Sequence, residues 1–433
     1  MKLAAKNALY TRSAKSRVHV APSPRKSRSA AMQAGLNDRL RPLKFFLCFA
    51  PCRAKTCNRP WMGALMSFLL NAWYVAAFSD ELNGATPLAR TLLDRPVVLY
   101  RDSEGAAHAL DDRCAHRFAP LSRGRVVGGV LECPYHGLRF DGAGRCVHNP
   151  HGDGRVPAQA HVRAYPVVER FGAVWFWPGE AARADIALLP AFDFVDPAQN
   201  HTHHGYLKTR AHYQLSADNL LDLSHFQFLH PDTLGSEAIA SGDVQSGSLG
   251  ETVWVRRAVF GEILQPFVAD GFGIAAGTCV DRWMDVKWTP PGLLTIVVGV
   301  TGAGQPREAG RIAPSAHWLT PETACTTHYF FAFGLPKAMG DEGRALVRYA
   351  VEGLMKPFEL EDLPMLEAQQ ACIGEADFWA AQPALLPIDR GAIRARRIME
   401  SMIVAERAGH DPRDANHHDG ARTIAIRSSF EVA

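Results

Sequence analysis

The stretch "RCAHRFAPLSRGRVVGGVLECPYHGLRF", residues 113–140, decides how this chain is read. Two short groups hold one cysteine and one histidine each, Cys114-Ala-His116 and Cys133-Pro-Tyr-His136, and sixteen residues separate them. Zinc, the competing reading, is met in fingers that pair cysteine with cysteine and histidine with histidine along the chain. Here each group gives one of each. An asymmetric iron–sulfur cluster needs that arrangement, with two thiolates on one iron and two imidazoles on the other. Neutral imidazole in place of thiolate raises the reduction potential of such a cluster. Gly137 and the pair Gly128–Gly129 are expected to bring the backbone close to the sulfides, where amides can donate.

Outward from this segment, residues 85–180 read as short strands and turns. "RPVVLYRDSEGAAHAL" (95–110) is an apolar run, a polar turn with Gly105 and a return strand. "GAVWFWPG" (172–179) closes the region as a buried aromatic strand. Upstream, "WMGALMSFLLNAWYVAAF" (61–78) has about the length of a membrane span, but Ser67 and Asn71 interrupt it. Trp73 and Tyr74 would also fall mid-membrane rather than at an interface. A core strand beginning near Trp73 is the better reading, and no membrane anchor is expected. Downstream, from about residue 200, helix-like runs mix with alternating stretches such as "LLTIVVGVTG" (293–302) and "THYFFAFG" (327–334), which argue for a sheet. Ala392, Ala395, Met399 and Met402 mark the buried face of a late amphipathic helix.

A second constellation lies in "SADNLLDLSHFQFLHP" (216–231), read as one helix-like run carrying Asp218, Asn219, Asp222, His225 and His230. Asp222 and His225 share a helix face. His225 and His230 lie about 140° apart on a straight helix. For one metal to take both, the helix has to bulge or end between them, and Pro231 disfavours the α conformation at His230. Two histidines need a carboxylate to complete the facial triad of a non-haem Fe(II) site with positions left for O₂. "FELEDLPMLEAQQ" (358–370) offers Asp362, with Glu361 and Glu359 as lesser options.

At these residues the chain resembles the Rieske non-haem iron oxygenases. Cys-x-His and Cys-x-x-His match the Rieske [2Fe–2S] pattern at all four ligands, and Asn219-x-x-Asp222-x-x-His225-x-x-x-x-His230 matches the catalytic-domain signature. "NAWYVAAFSDEL", "VVERFGAVWFWPG" and "LTPETACTTHYFFAFG" look most like the branch that holds vanillate O-demethylase, dicamba and toluenesulfonate oxygenases. The likeness spans roughly residues 67–410. It implies an α+β chain: an all-β Rieske domain over 66–180, then a catalytic domain over 181–409 with an antiparallel sheet and helices carrying a mononuclear iron. It implies a cluster held by Cys114, His116, Cys133 and His136, and iron held by His225, His230 and Asp362, with Asn219 supporting them. The Asp222 carboxylate would join His225 to His136 or His116 of a neighbouring subunit, in a homotrimer. Electrons would come from NAD(P)H through a separate flavin and iron–sulfur reductase, since this chain has no Rossmann glycine fingerprint. The implied reaction is O-demethylation of a small methoxylated aromatic acid with release of formaldehyde. N-demethylation, or hydroxylation of another ring or alkyl carbon, stands as the alternative. A plain Rieske electron carrier is the reading that the downstream histidines and carboxylates oppose.

The 433 residues are 47% hydrophobic, enough for two or three domains. Nine cysteines without a regular framework suit a reduced, cytoplasmic setting. Residues 1–65 are basic and have no counterpart in the resemblance. They are expected to be an extension upstream of a start at Met62 or Met66, ahead of a transit peptide or a nucleic-acid arm. No nucleic-acid partner is expected, and residues 410–433 are expected to be a disordered tail. Trp283, Trp288 and the strand at 293–301 read as core before pocket lining, and Arg282 and Lys287 as surface charges before substrate anchors.

Overall fold

Strand β1, Tyr74–Phe78, is buried at every position, so apolar groups cover it on both faces. This is the expected core strand. The structure, a computed structural model, describes residues 68–413 apart from 85 and 375. Expectations about residues 1–65 and about the tail beyond 413 lie outside the described residues. β1 pairs with β11 (Ala173–Phe176), which pairs with β10 (Val167–Arg170). A second small sheet has the order β2–β3–β4–β9, from Leu88–Leu92, Arg95–Arg101, Ala107–Asp111 and Ala164–Tyr165. A third has the order β5–β6–β7–β8, from Arg125–Val127, Val130–Glu132, Arg139–Phe140 and Cys146–His148. All these pairings are antiparallel, and the hairpin predicted at 95–110 is β3–β4.

The second half is built on seven antiparallel strands in the order β12–β18–β17–β16–β15–β14–β13. They are Asn200–Thr209 (β12), Asp243–Leu249 (β13), Thr252–Ile263 (β14), Cys279–Thr289 (β15), Leu293–Gly302 (β16), Arg311–Thr323 (β17) and Thr326–Pro336 (β18). In β14 every second residue from Val253 to Val259 is buried, the period of a strand with one face against a core. Helices α1 (Tyr213–Leu221), α2 (Phe226–Leu229), α3 (Pro266–Phe272), α4 (Gly340–Pro357), α5 (Leu363–Ile373) and α6 (Arg390–Arg407) accompany the sheet. The predicted face of α6 is buried at Ala392, Ala395, Met399 and Met402.

The two halves share an aromatic core. Trp73, Val75, Phe78 and Trp175 from the first pack with Phe192, Trp318 and Phe330 near and on the sheet of the second. Thr320 also donates to the Val75 carbonyl at 2.7 Å. The cluster-bearing and helix-bearing parts are therefore fixed to each other within the chain. No helix among the described residues is long and apolar enough to cross a membrane.

Three expectations need correcting. The helix-like run 216–231 does break, but the main break falls before His225 rather than between the histidines: α1 stops at Leu221, where Asp222 turns extended (φ −125°, ψ 95°). Arg282 is not a surface charge. It is 3% exposed, and its Nη2 lies 2.5 Å from Glu262 Oε1. Gly128 and Gly129, at φ 61° and 82°, form the two-residue turn of the β5–β6 hairpin, where left-handed backbone is required. Gly129 abuts Ser103, so this pair serves the turn rather than the cysteines.

Candidate metal centres

Two loops of the first half carry the four predicted cluster residues. One follows β4 and holds Cys114 and His116; the other joins β6 to β7 and holds Cys133 and His136. Each loop is pinned by its own main chain. Cys114 N donates to Ala119 O at 2.9 Å, and Cys133 N donates to Leu138 O at 2.8 Å. Gly137 takes φ 70°, and its amide donates back to Cys133 O at 3.1 Å, a turn that a side chain would strain. Both cysteines are unpaired thiols buried among Val98, Leu110, Leu121, Leu131 and Phe140. Burial, together with the nearby Cys133 sulfur, pushes the Cys114 thiol up to about 11, while the amides of His116 and Arg117 point at it and pull the other way. The His116 and His136 rings lie 4.6 Å apart at the outer end, and His116 is exposed. Thiols inside and imidazoles outside give the site two unlike ends. His151 adds a contact that the sequence did not announce, its Nε2 lying 2.8 Å from the carbonyl of His136.

The second centre gathers three elements. After Asp222 the chain makes a 3₁₀ turn, Leu223–His225, then α2, and leaves helical geometry at His230 (φ −119°, ψ 40°). This combination of tight turn and helix exit brings histidines five residues apart onto one point, with ring centroids 5.2 Å apart. The third group comes from a π-helical turn, Phe358–Asp362, between α4 and α5. Pro357 and Pro364 flank that turn and lack the N–H donors that would continue an α register across it. Ligand atoms of His225, His230 and Asp362 all lie within 4.8 Å of one another. Asp362 Oδ1 is 3.2 Å from His230 Nε2 and 3.5 Å from His225 Nε2. Asn219, on α1, donates Nδ2 to the same oxygen at 3.0 Å.

The outer nitrogens explain why this set suits a cation. His225 Nδ1 lies 2.6 Å from the main-chain carbonyl of Asp222, and His230 Nδ1 lies 2.5 Å from Glu361 Oε2. With each Nδ1 donating its proton, both Nε2 lone pairs face the Asp362 carboxylate, acceptor against acceptor. A cation between them resolves the conflict, and two imidazoles with one carboxylate is the facial set of non-haem iron. In the metal-free protein a proton does the same work. Burial pushes the His230 pKa down, but Asp362 and then Glu361 outweigh it and hold it above the usual histidine value. Burial lowers His225, with Asp362 opposing.

Asp222 differs from expectation in one respect. Its carbonyl, not its carboxylate, meets His225. The carboxylate accepts from Ser224 N at 3.0 Å and Ser224 Oγ at 2.8 Å, with Arg257 Nη2 at 3.3 Å. Glu361, weighed from sequence as an alternative ligand, sits on the far side of His230 instead. Glu359 is exposed. Trp288 is core, and Trp283 is buried beneath the Arg307 guanidinium.

Comparison with known proteins follows the same two centres. Residues 72–166 match the Rieske [2Fe-2S] domain, and residues 209–405 match the vanillate O-demethylase oxygenase C-terminal domain. The oxygenase component of dicamba O-demethylase from Stenotrophomonas maltophilia is 38% identical over 352 residues, covering 79% of this chain and 100% of that protein. The chain belongs to the Rieske non-haem iron oxygenases. The oxygenase component of chloroacetanilide N-alkylformylase from Rhizorhabdus wittichii is also 38% identical, over 78% of this chain and 97% of that one. A crystal structure of dicamba monooxygenase bound to 3,6-dichlorosalicylic acid superposes with a TM-score of 0.73 at 37% identity, covering 79% of this chain and 99% of that one. Membership brings the cofactors: a Rieske [2Fe–2S] cluster and a mononuclear non-haem iron, with O₂ as co-substrate and reductase-supplied NAD(P)H electrons.

Proposed function

We propose that this oxygenase removes the methyl group of a methoxylated aromatic acid, taking electrons from NAD(P)H through a separate flavin and iron–sulfur reductase. The convergence of His225, His230 and Asp362 carries the reading, because an electron carrier has no use for an open three-donor site. On this reading Cys114, Cys133, His116 and His136 hold the cluster, and His225, His230 and Asp362 hold the mononuclear iron. When bound, the two centres supply electron storage and O₂ activation. The protein's own groups keep the donors in place: Asn219 orients the Asp362 carboxylate, and the Asp222 carbonyl fixes the His225 ring.

The overall change is balanced. Methoxyarene, O₂, NAD(P)H and a proton give hydroxymethoxyarene, water and NAD(P)⁺. That hemiacetal then breaks its C–O bond to release a phenol and formaldehyde. In a homotrimer the partly exposed Asp222 carboxylate would reach His116 or His136 of the neighbouring subunit. Dependence on an NAD(P)H-fed reductase suits a cytoplasmic enzyme. The match to a named N-alkylformylase at equal identity supports a second reading, N-dealkylation at the same site.

Formaldehyde release decides. Purified protein with reductase, NADH and a panel of methoxybenzoates should release formaldehyde and the matching phenol in equal amounts, with about three irons per chain. Release from N-alkyl anilides alone would establish the second reading. Two irons per chain and no turnover of either panel would leave an electron carrier.

A further inference from the structure

The two histidines of the mononuclear site are held from behind by unlike groups. His225 Nδ1 meets a neutral main-chain carbonyl, from Asp222 at 2.6 Å. His230 Nδ1 meets a carboxylate, Glu361 Oε2 at 2.5 Å. That oxygen is itself fixed, because Thr233 Oγ1 donates to it at 2.8 Å. The His230 side chain is fully buried and Glu361 is 25% exposed, so solvent approaches the bond only from the carboxylate side. The π-helical turn makes this possible. Neighbouring residues Glu361 and Asp362 reach opposite sides of one imidazole, Glu361 at Nδ1 and Asp362 at Nε2.

We infer that Glu361, braced by Thr233, is a positioning residue that fixes His230 with its Nε2 lone pair toward the metal and makes it the stronger of the two imidazole donors. The inference rests on the assignment of His225, His230 and Asp362 as iron ligands. A carboxylate behind a ligating imidazole selects the tautomer, fixes the ring plane and increases the electron density at the metal-facing nitrogen, and losing such a partner typically costs about 10- to 100-fold in metal affinity. A carbonyl selects the tautomer but adds no charge. The asymmetry therefore makes His230 the anchor of the iron and leaves His225 the softer contact, on the side where Asp222 reaches the surface.

The test measures iron retention rather than turnover. Holoenzyme is challenged with a ferrous chelator, and mononuclear iron is followed apart from the cluster, whose visible absorption reports that the fold is intact. Glu361→Ala should lose mononuclear iron about 10- to 100-fold more readily than the parent, with the cluster unchanged. Glu361→Gln still accepts from His230 Nδ1 and should fall between the two, and Thr233→Val should move the same way by less. Retention equal to the parent in Glu361→Ala would overturn the inference, as would Glu361→Gln behaving no better than Glu361→Ala. His225→Ala, His230→Ala and Asp362→Ala serve as the reference. If all three keep their iron, the ligand assignment itself is wrong. If they lose it while Glu361→Ala does not, only the role of Glu361 falls.

Discussion

His230 is where residue-level electrostatics become measurable. In the metal-free protein Asp362 and Glu361 hold its pKa above the ordinary value of 6.5 despite burial. A raised folded-state pKa gives stabilisation that is full below the unfolded value and disappears as pH rises through the folded one. His225 is lowered by burial and titrates below that window. Iron competes with the His230 proton for Nε2, so it takes over where the proton leaves. The gap in Tm between iron-loaded and iron-stripped protein should therefore widen as pH rises above the ordinary histidine value of 6.5. A gap that stays level or shrinks over that range would show that the proton on His230 does not support the apo fold. At this scale local spacing picks out the proposed ligands but not the groups behind them. Cys114, His116, Cys133 and His136 stand in two tight groups, and His225 and His230 in one, so local spacing reveals them. Glu361 meets His230 across 131 positions, and no local pattern encodes such a contact.

At the scale of elements, the sheet and its helices were readable from periodicity, but the way buried charges join them was not. Arg282 on β15 read as a surface charge, yet it is 3% exposed, and Arg257 on β14 and Arg396 on α6 are buried as deeply, at 3% and 5%. Arg396 holds α6 to α1 through Asp218 at 2.6 Å, one residue before Asn219. Arg257 ties Asp222 and the Ile239 carbonyl to β14. Arg282 binds Glu262 Oε1 and the Leu234 carbonyl, while Ser236 donates to the same Glu262 oxygen, so this pair stakes down the loop that follows His230. Charged residues in an alternating strand normally mark the wet face, and only the partner's position in three dimensions reverses that expectation. Removing one member of a fully buried pair strands the other charge and costs about 3–5 kcal/mol, whereas replacing both with apolar groups of similar volume is often neutral or better. Glu262→Leu should lower Tm sharply, and the double variant Glu262→Leu with Arg282→Met should recover most of the loss. A double variant as unstable as the single one would mean that the loop depends on the Arg282 bond to Leu234 O rather than on the ion pair.

At the scale of the whole molecule, the two centres face outward by different routes. The cluster end that carries His116 and His136 is the exposed end of its loops, and the Asp222 side chain is 19% exposed. Within one chain, the hydrogen bonds of the Asp222 carboxylate go to Ser224 and Arg257. The proposed trimer gives that carboxylate its other partner on a second subunit, and subunit mixing tests this directly. His136→Ala should lose the cluster and keep mononuclear iron, while His225→Ala should lose the iron and keep the cluster. Each homo-oligomer should be inactive. After dissociation and reassembly together, a mixed oligomer holds interfaces where an intact cluster of one subunit meets an intact iron site of the other. Formaldehyde release should then return to a fraction set by the statistics of mixing. Adding Asp222→Asn to the His136→Ala chain removes the carboxylate charge on the iron-bearing side of each such interface and should abolish the recovery, with both metal contents unchanged. The same substitution placed on the His225→Ala chain should leave the recovery intact. No recovery in any mixture, with oligomers shown to have exchanged, would confine electron flow to a single chain and remove both the intersubunit path and the role given to Asp222.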